Sequence, residues 1–235
     1  MKFIIKSQAP PELSDFVARN NQRDYEALKK PARDALRKAL LAEQGYICAY
    51  TMVRMHSVDD AHVEHMISRQ QDSRHQLDFG NMVACYPARR QDKLAAFGAF
   101  KKHGEQISDV NFVKPTSKDC EQQFRYLSNG DIDGLTPAAK STINMLKLNH
   151  SHLKAQRAQA ISARELTNRV RSTRNAVQKL DEDQAAAASD EMTANEARQL
   201  AGAIVKRDDN GKFAGFCLAI RQVALEYADK KEAQA

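Results

Sequence analysis

The sequence contains no tryptophan, and aromatic residues make up only 6% of its 235 positions. Stacking on nucleobases would therefore depend on a few Tyr and Phe side chains. The four cysteines form no CxxC pair, so we expect reduced thiols rather than a disulfide framework. No stretch approaches roughly eighteen uninterrupted apolar residues, which excludes a membrane-spanning helix at the level of sequence. Because we also expect no signal peptide at the Met1 start, these shortages predict a soluble, cytoplasmic protein that contacts no membrane.

The remaining composition is that of an ordinary globular protein. Hydrophobic residues make up 42% of the chain and charged residues 28%, which supplies enough apolar surface for a core. A chain of this length forms one sizeable domain or a compact domain with helical extensions. The net charge of +6 favours a polyanionic partner without requiring one, because many basic proteins bind no nucleic acid.

Apolar spacing and turn residues divide the chain into short strands and several helices. Asn129-Gly130 supplies the positive φ angles of a hairpin turn between two short strands. A second hairpin is predicted from strands at 52–55 and 61–66, followed by a helix over 89–102. Further helices are predicted by apolar periodicity and by their start signals, over 14–19, 31–44, 136–148, 151–180, 194–206 and 213–227.

The chemistry-bearing residues crowd into one part of the chain. Five of the seven histidines lie between His56 and His103. Glu64 and His65 are adjacent at the end of a predicted strand, and Asn81 follows sixteen residues after His65. Hydrolysis of a phosphodiester needs a base that removes a proton from water and a positive centre at the phosphate. A histidine is the natural base at neutral pH, and a carboxylate with an amide suits a hard divalent ion.

These residues resemble the HNH, or ββα-metal, nuclease finger, and the flanking sequence is similar to the PtuB-type HNH endonucleases of Septu anti-phage systems and of retrons with Septu-like effectors. The resemblance covers roughly residues 1–165. It is carried by HVEH at 62–65, LDFGN at 77–81, YLSNG at 126–130, INMLKLNH at 143–150 and the long stretch LRKALLAEQGYICAY at 36–50.

The resemblance implies an α+β, mostly helical fold with the finger embedded between N-terminal helices and a C-terminal helical region. The expected divisions are an N-terminal arm with helices over 1–45, the nuclease domain over 46–135 and a helical region over 136–235 that docks a partner. The strongly basic sequence over 151–180 is either a solvated helix face or a phosphate-binding face, because the nuclease context makes both interpretations comparable.

The resemblance also implies the roles of individual residues. His65 matches the general base, Glu64 the acidic metal ligand, and Asn81 the residue that orients the finger or the base. The last metal ligand is open: Asp92 is our choice as the hard anionic oxygen near the expected position, His103 is the alternative, and water is a third possibility. The expected cofactor is a divalent ion, Mg²⁺ or Mn²⁺. His62 is expected to support the structure or touch substrate.

No structural zinc is expected. Cys48 stands where a zinc knuckle begins in many relatives, but Thr51 replaces the next thiol, and beyond Cys85 a fourth thiol is missing. A tetrahedral zinc site normally takes four Cys or His ligands. The finger is therefore expected to be braced by apolar packing.

The resemblance predicts a toxic effector that hydrolyses DNA, or a specific RNA such as a tRNA. The basic residues expected to hold the strand are Arg69, Arg74, Arg89 and Arg90. The implied partner is an ABC/SMC-like ATPase (PtuA), joined in a retron setting by a reverse transcriptase and its reverse-transcribed DNA. The rival hypothesis is a catalytically degenerate HNH fold that only binds nucleic acid or scaffolds the ATPase.

Overall fold

The computed structural model describes residues 1–20, 24–90, 96–102, 104–164 and 192–234. These ranges contain six α-helices and two antiparallel two-stranded sheets, so the α+β class is confirmed. The helices are α1 (Pro11–Arg19), α2 (Lys30–Glu43), α3 (Pro137–Leu146), α4 (Ser151–Ser162), α5 (Ala194–Ala203) and α6 (Cys217–Glu232). The strands are β1 (His62–His65), β2 (Met82–Cys85), β3 (Phe124–Tyr126) and β4 (Ile132–Gly134).

The local start signals account for most helix boundaries. Proline occupies the first turn of α1, α2 and α3, where its missing N–H has no helical partner to lose. The Thr136 side chain accepts a hydrogen bond from the Ala139 N–H at the start of α3. Thr193 and Glu196 form a capping box at the start of α5. The predicted hairpin around Gly130 is confirmed, since β3 and β4 pair in register.

The hairpin predicted from 52–55 and 61–66 is wrong. Strand β1 pairs with β2, with His62 opposite Cys85 and His65 opposite Met82. A loop over 66–81 joins the two strands, and near the predicted first strand only an isolated bridge between Ile47 and Arg54 forms. A Ser57 capping box instead organises a short 3₁₀ turn over Val58–Asp60, so the polar segment ahead of β1 is a capped turn rather than a hairpin turn.

The outer edge of β2 is covered by a side chain. The Gln44 amide donates to the Ala84 carbonyl at 2.8 Å and to the Ile47 carbonyl at 3.0 Å. Its oxygen accepts from the Ala84 N–H at 2.6 Å, and the Ala49 N–H also donates to the Ala84 carbonyl. Gln44, the residue that caps the end of helix α2, thereby joins this helix to the β1–β2 sheet.

The prediction of a helix over 89–102 is also wrong at the positions that the structure describes, 89–90 and 96–102. Residues 96–102 carry a 3₁₀ turn at Ala99–Lys101 instead of an α-helix. Gly98, just before this turn, has a φ of 80°, which is incompatible with a helix interior. Its N–H donates to the Leu146 carbonyl at 2.7 Å, so a contact with α3 replaces the local helical hydrogen bond.

Buried side chains from the N-terminal, central and C-terminal parts of the chain form one continuous hydrophobic core. Leu40 of α2, Val83 of β2, Leu146 of α3 and Ile220 of α6 belong to one cluster of buried side chains. Helices α5 and α6 pack closely together.

Of the long helix predicted over 151–180, the described part is α4, and residues 165–191 lie outside the described ranges. No described helix combines the length and apolarity needed to cross a membrane.

Candidate active site

A cavity of about 280 Å³ opens at the end of β1. Because side chains alternate along a strand, His62 and Glu64 share one face, as predicted, and the Nε2 atom of His62 lies 4.0 Å from Oε2 of Glu64. Glu64 and His65, the two residues of the strand that were predicted to carry the chemistry, border the cavity together with the neighbouring imidazole of His62. Three cationic side chains also border it: Arg69, Arg90 and Lys102.

His65 is the last residue of β1 and is 8% exposed. Its Nε2 atom lies 2.9 Å from the Gln76 carbonyl oxygen. A carbonyl oxygen only accepts, so Nε2 carries the proton and Nδ1 keeps the lone pair of the neutral ring. Tyr25 packs edge-on against this ring at 4.8 Å. Burial lowers the pKa of His65 to about 4, so the ring is a neutral, oriented base near pH 7.

The Glu64 carboxylate is paired with Lys102. The Nζ atom of Lys102 lies 2.8 Å from Oε1 of Glu64 and donates to the carbonyl oxygens of His65 and Met66 at 2.8 and 2.7 Å. Lys102 is only 4% exposed, so its three donors are all satisfied inside the protein. Burial raises the pKa of Glu64, and the Lys102 ammonium opposes that shift. The second oxygen, Oε2, remains directed toward His62.

Asn81 holds the loop over 66–81 closed. Its side-chain oxygen accepts from the Ile67 N–H at 2.8 Å, and its amide group donates to the carbonyls of Ile67 and His75 at 2.9 and 3.2 Å. Its own carbonyl accepts from the Met66 N–H. Asn81 is 5% exposed and all these contacts go to loop backbone. It therefore positions the loop that carries Gln76, the hydrogen-bond partner of His65.

The four arginines predicted to hold a strand occupy different environments. Arg69 borders the cavity, bonds the Glu26 carboxylate at 2.6 Å and lies over the Tyr25 ring. Arg90 also borders the cavity and is exposed. Arg89 is exposed beside it in sequence. Arg74 has an 85% exposed side chain that bonds Asp72, and it does not border the cavity. The structure thus brings two of the four to the site.

The described residues supply only part of a coordination shell for a divalent ion. Asp92 and His103, the two residues considered for the last ligand, lie outside the described ranges. Among the described residues no three His, Cys, Asp or Glu side chains form a metal-binding group. His62 nevertheless has a buried Nε2 atom without a hydrogen-bond partner among the described residues, and it faces Glu64. An orphaned imidazole nitrogen beside a carboxylate oxygen fits two positions of a metal's coordination shell.

The two cysteines considered for a zinc knuckle lie side by side in the core. The Cys48 sulfur accepts from the Tyr86 N–H at 3.3 Å, and all four cysteines are buried free thiols. Burial alone would raise the pKa of Cys48, but hydrogen bonds from Cys85, Thr51 and Tyr86 lower it to about 6. These donors stabilise the thiolate form of Cys48.

Sequence reasoning missed Lys102, Gln76 and Tyr25. Lys102 pairs with Glu64 across 38 positions, and no local pattern distinguishes it from the neighbouring Lys101. Gln76 acts on His65 through its backbone carbonyl, which its side-chain chemistry cannot reveal. Tyr25 reaches His65 from a 3₁₀ turn before α2. Only a knowledge of which segments meet could have identified these three residues.

No protein-family model matches this chain, and a comparison with curated proteins finds no match.

Proposed function

We propose that the chain is a divalent-metal-dependent endonuclease of the HNH type, in which β1 and β2 supply the two strands of a ββα-metal finger. The observation that carries the proposal is the His65 ring. It is neutral, its tautomer is set by the Gln76 carbonyl, and it sits beside Glu64 at a cavity bordered by cations. A hydrolase of phosphodiesters needs this combination of base, carboxylate and positive charge.

In the proposed reaction His65 accepts the proton of the attacking water through Nδ1. Its hydrogen bond to Gln76 and its edge contact with Tyr25 hold the ring so that little reorientation precedes proton transfer. Asn81 contributes indirectly, because it fixes the loop that presents the Gln76 carbonyl. The Gln76 hydrogen bond, the Tyr25 contact and the loop held by Asn81 together orient the base at the end of the strand. This orientation does not require a carboxylate that bonds to His65.

The cationic border of the cavity binds the phosphate backbone in this proposal. Arg69 and Arg90 both reach the cavity, and such contacts fix the position of a strand without reading its sequence. Glu64, with His62 as its neighbour, would hold the divalent ion, which supplies Lewis-acid stabilisation of charge on the scissile phosphate when bound. DNA and RNA both offer the required phosphate.

The biological setting follows from the sequence resemblance. We propose that the nuclease is the toxic effector of an anti-phage complex with an ABC/SMC-like ATPase, with a reverse transcriptase and its DNA added in a retron. The helical region from α3 onward is the proposed docking surface. A nuclease that cuts freely would harm its own cell, which gives a physical reason for restraint by a partner.

The test is to express the chain with its genomic neighbours and to compare wild type with His65→Ala, His65→Gln and His56→Ala during phage infection. His65→Gln keeps a donor for the Gln76 carbonyl but removes the basic nitrogen. His56 is exposed and does not border the cavity, so its variant is the matched control. DNA and RNA recovered after induction are sequenced for new ends.

We expect wild type and His56→Ala to protect cells and to generate cleaved ends, and both His65 variants to lose both properties. Loss of a general base typically costs 10²–10⁴-fold in rate. Purified complexes should show the same ranking with Mg²⁺ or Mn²⁺. Equal protection by all four proteins, with no cleavage in vitro, would contradict the nuclease proposal.

One observation favours the rival, a catalytically degenerate HNH-fold subunit that binds nucleic acid or scaffolds the ATPase. The Lys102 ammonium already neutralises Glu64, and a neutralised carboxylate binds a divalent cation less strongly. Under this alternative the His65 variants protect as well as wild type, whereas replacing Arg69 or Arg90 weakens nucleic-acid binding.

A further inference from the structure

His62 has one ring nitrogen in use and one without a partner. Its Nδ1 atom lies 2.6 Å from the Pro87 carbonyl oxygen. Because a carbonyl oxygen only accepts, Nδ1 carries the proton and Nε2 has the lone pair. Nε2 is buried and has no hydrogen-bond partner among the described residues. A buried polar atom left unpaired costs about 1–3 kcal/mol, so a ligand that accepts this lone pair would remove that cost.

The ring is held in place for such a ligand. Phe100 stacks on it with ring centres 4.3 Å apart and an interplanar angle of 16°. The side chain of His62 is 15% exposed and borders the cavity. A hydrogen bond from one ring nitrogen to a backbone carbonyl is the usual way in which proteins orient a metal-binding histidine and fix its tautomer.

Glu64 offers a second lone pair at the same place. Its Oε1 atom is taken by Lys102, while Oε2 lies 4.0 Å from the free Nε2 of His62. Nε2 of His62 and Oε2 of Glu64 are therefore two electron-pair donors that face each other, and both residues border the cavity.

The donor types favour one class of metal. An imidazole nitrogen suits Ni²⁺, Co²⁺ and Zn²⁺, whereas Mg²⁺ prefers oxygen ligands alone. Lys102 cancels most of the electrostatic attraction of Glu64 for a hard cation. The bond to the imidazole nitrogen would then supply a larger share of the affinity, and this bond is weak for Mg²⁺.

We infer that Nε2 of His62 and Oε2 of Glu64 together bind a late first-row transition-metal ion in preference to Mg²⁺. The inference rests on the proposed function and deepens it, because it adds His62 as a ligand and changes the class of ion from that expected by sequence. Water and substrate oxygens would complete the coordination shell, as in other catalytic sites that keep open positions.

The test uses the purified full chain, with Co²⁺ and Mg²⁺ as separate probes. Equilibrium dialysis gives the dissociation constants, and the visible absorption of bound Co²⁺ reports the ligand set. The variants are His62→Phe, which keeps a ring to stack on Phe100, Glu64→Gln, and His56→Phe as the exposed-histidine control. Thermal unfolding of each variant verifies that it folds.

We expect wild type and His56→Phe to bind Co²⁺ more tightly than Mg²⁺. His62→Phe and Glu64→Gln should each weaken Co²⁺ binding by more than about tenfold, since loss of an outer-shell partner alone costs 10–100-fold. Should His62→Phe fail to fold, pulsed EPR of Mn²⁺-loaded wild type keeps the inference testable, because ligation by a histidine gives a nitrogen coupling.

The inference is overturned if wild type binds no Co²⁺, if His62→Phe retains wild-type affinity, or if the EPR spectrum lacks nitrogen coupling. Cleavage assays on the same samples separate the two proposals. Wild type that cuts nucleic acid while His62→Phe keeps its Co²⁺ affinity refutes the metal site alone. Co²⁺ binding that depends on His62, without any cleavage by wild type in its complex, refutes the nuclease alone.

Discussion

Lys102→Met should destabilise the fold far more than loss of a surface ion pair. The side chain is 4% exposed, and its ammonium satisfies Glu64 and two backbone carbonyls. Methionine preserves most of the volume but leaves the carboxylate buried without a counter-charge. Removing one partner of a buried pair costs about 3–5 kcal/mol. Glu64 has 17% side-chain exposure and borders a cavity, so we expect the lower part of that range.

The assay is denaturant and thermal unfolding of a double-mutant cycle with Glu64→Gln. At about 2–4 °C per kcal/mol for a chain of this size, Lys102→Met should lower Tm by roughly 6–15 °C. The double variant should recover much of this loss, because removing both charges relieves the buried carboxylate. The coupling free energy should exceed about 1.5 kcal/mol.

The exposed pair Lys30–Asp34 provides the matched control, since its N–O distance is also 2.8 Å but its lysine is 86% exposed. Lys30→Met should change stability by no more than about 0.5 kcal/mol. If Lys102→Met costs as little as Lys30→Met, the Lys102 ammonium reaches water in solution and the argument for a buried counter-ion is refuted.

Two further predictions concern the backbone around the site and the second hairpin. Asn81→Ala should cost about 2–4 kcal/mol, because three hydrogen bonds near 1 kcal/mol each are lost from a buried amide, and amide exchange should quicken over 66–81. Asn111→Ala also removes three side-chain hydrogen bonds, but these lie at the surface and Asn111 is only half-buried, so it should lower the free energy of unfolding by less than about 1 kcal/mol. Equal costs for the two variants in denaturant unfolding would contradict the role of Asn81 in holding the loop closed. Gly130→Ala should lower the free energy of unfolding by about 1–3 kcal/mol more than Gly104→Ala does. Both glycines have a φ near +85°, but only at Gly130 would the added carbon meet the backbone of α4. Similar Tm values for the two variants would refute this difference.

The sequence was sufficient for elements whose signals are local. Pro137 at a helix start, the Asn129-Gly130 turn and the alternation of His62 and Glu64 each depend on residues within a few positions. The structure places all three as expected. Glu64 and His65 both border one cavity, although adjacent side chains of a strand point to opposite faces, so the local pattern alone did not guarantee that they would meet there.

The errors have a common physical origin in contacts between distant segments. The runs at 52–55 and 82–85 are both short and apolar, and nothing local decides which one pairs with β1. In the structure the run at 82–85 pairs with β1, and Gln44, about forty positions away, bonds to its outer edge at Ala84. Likewise, Gly98 leaves the helical region to donate to Leu146, which ends a helix that apolar spacing alone predicts. Tertiary hydrogen bonds overrode the periodic pattern in both cases.

The Gln44 side chain has a consequence for how the protein behaves among other copies of itself. A two-stranded sheet ordinarily presents unpaired backbone groups along its edges, where another chain can add a strand. At Ala84 the amide of Gln44 satisfies both the N–H and the carbonyl, as a third strand would. At this position the β2 edge therefore has no free backbone group with which a strand of another copy could pair.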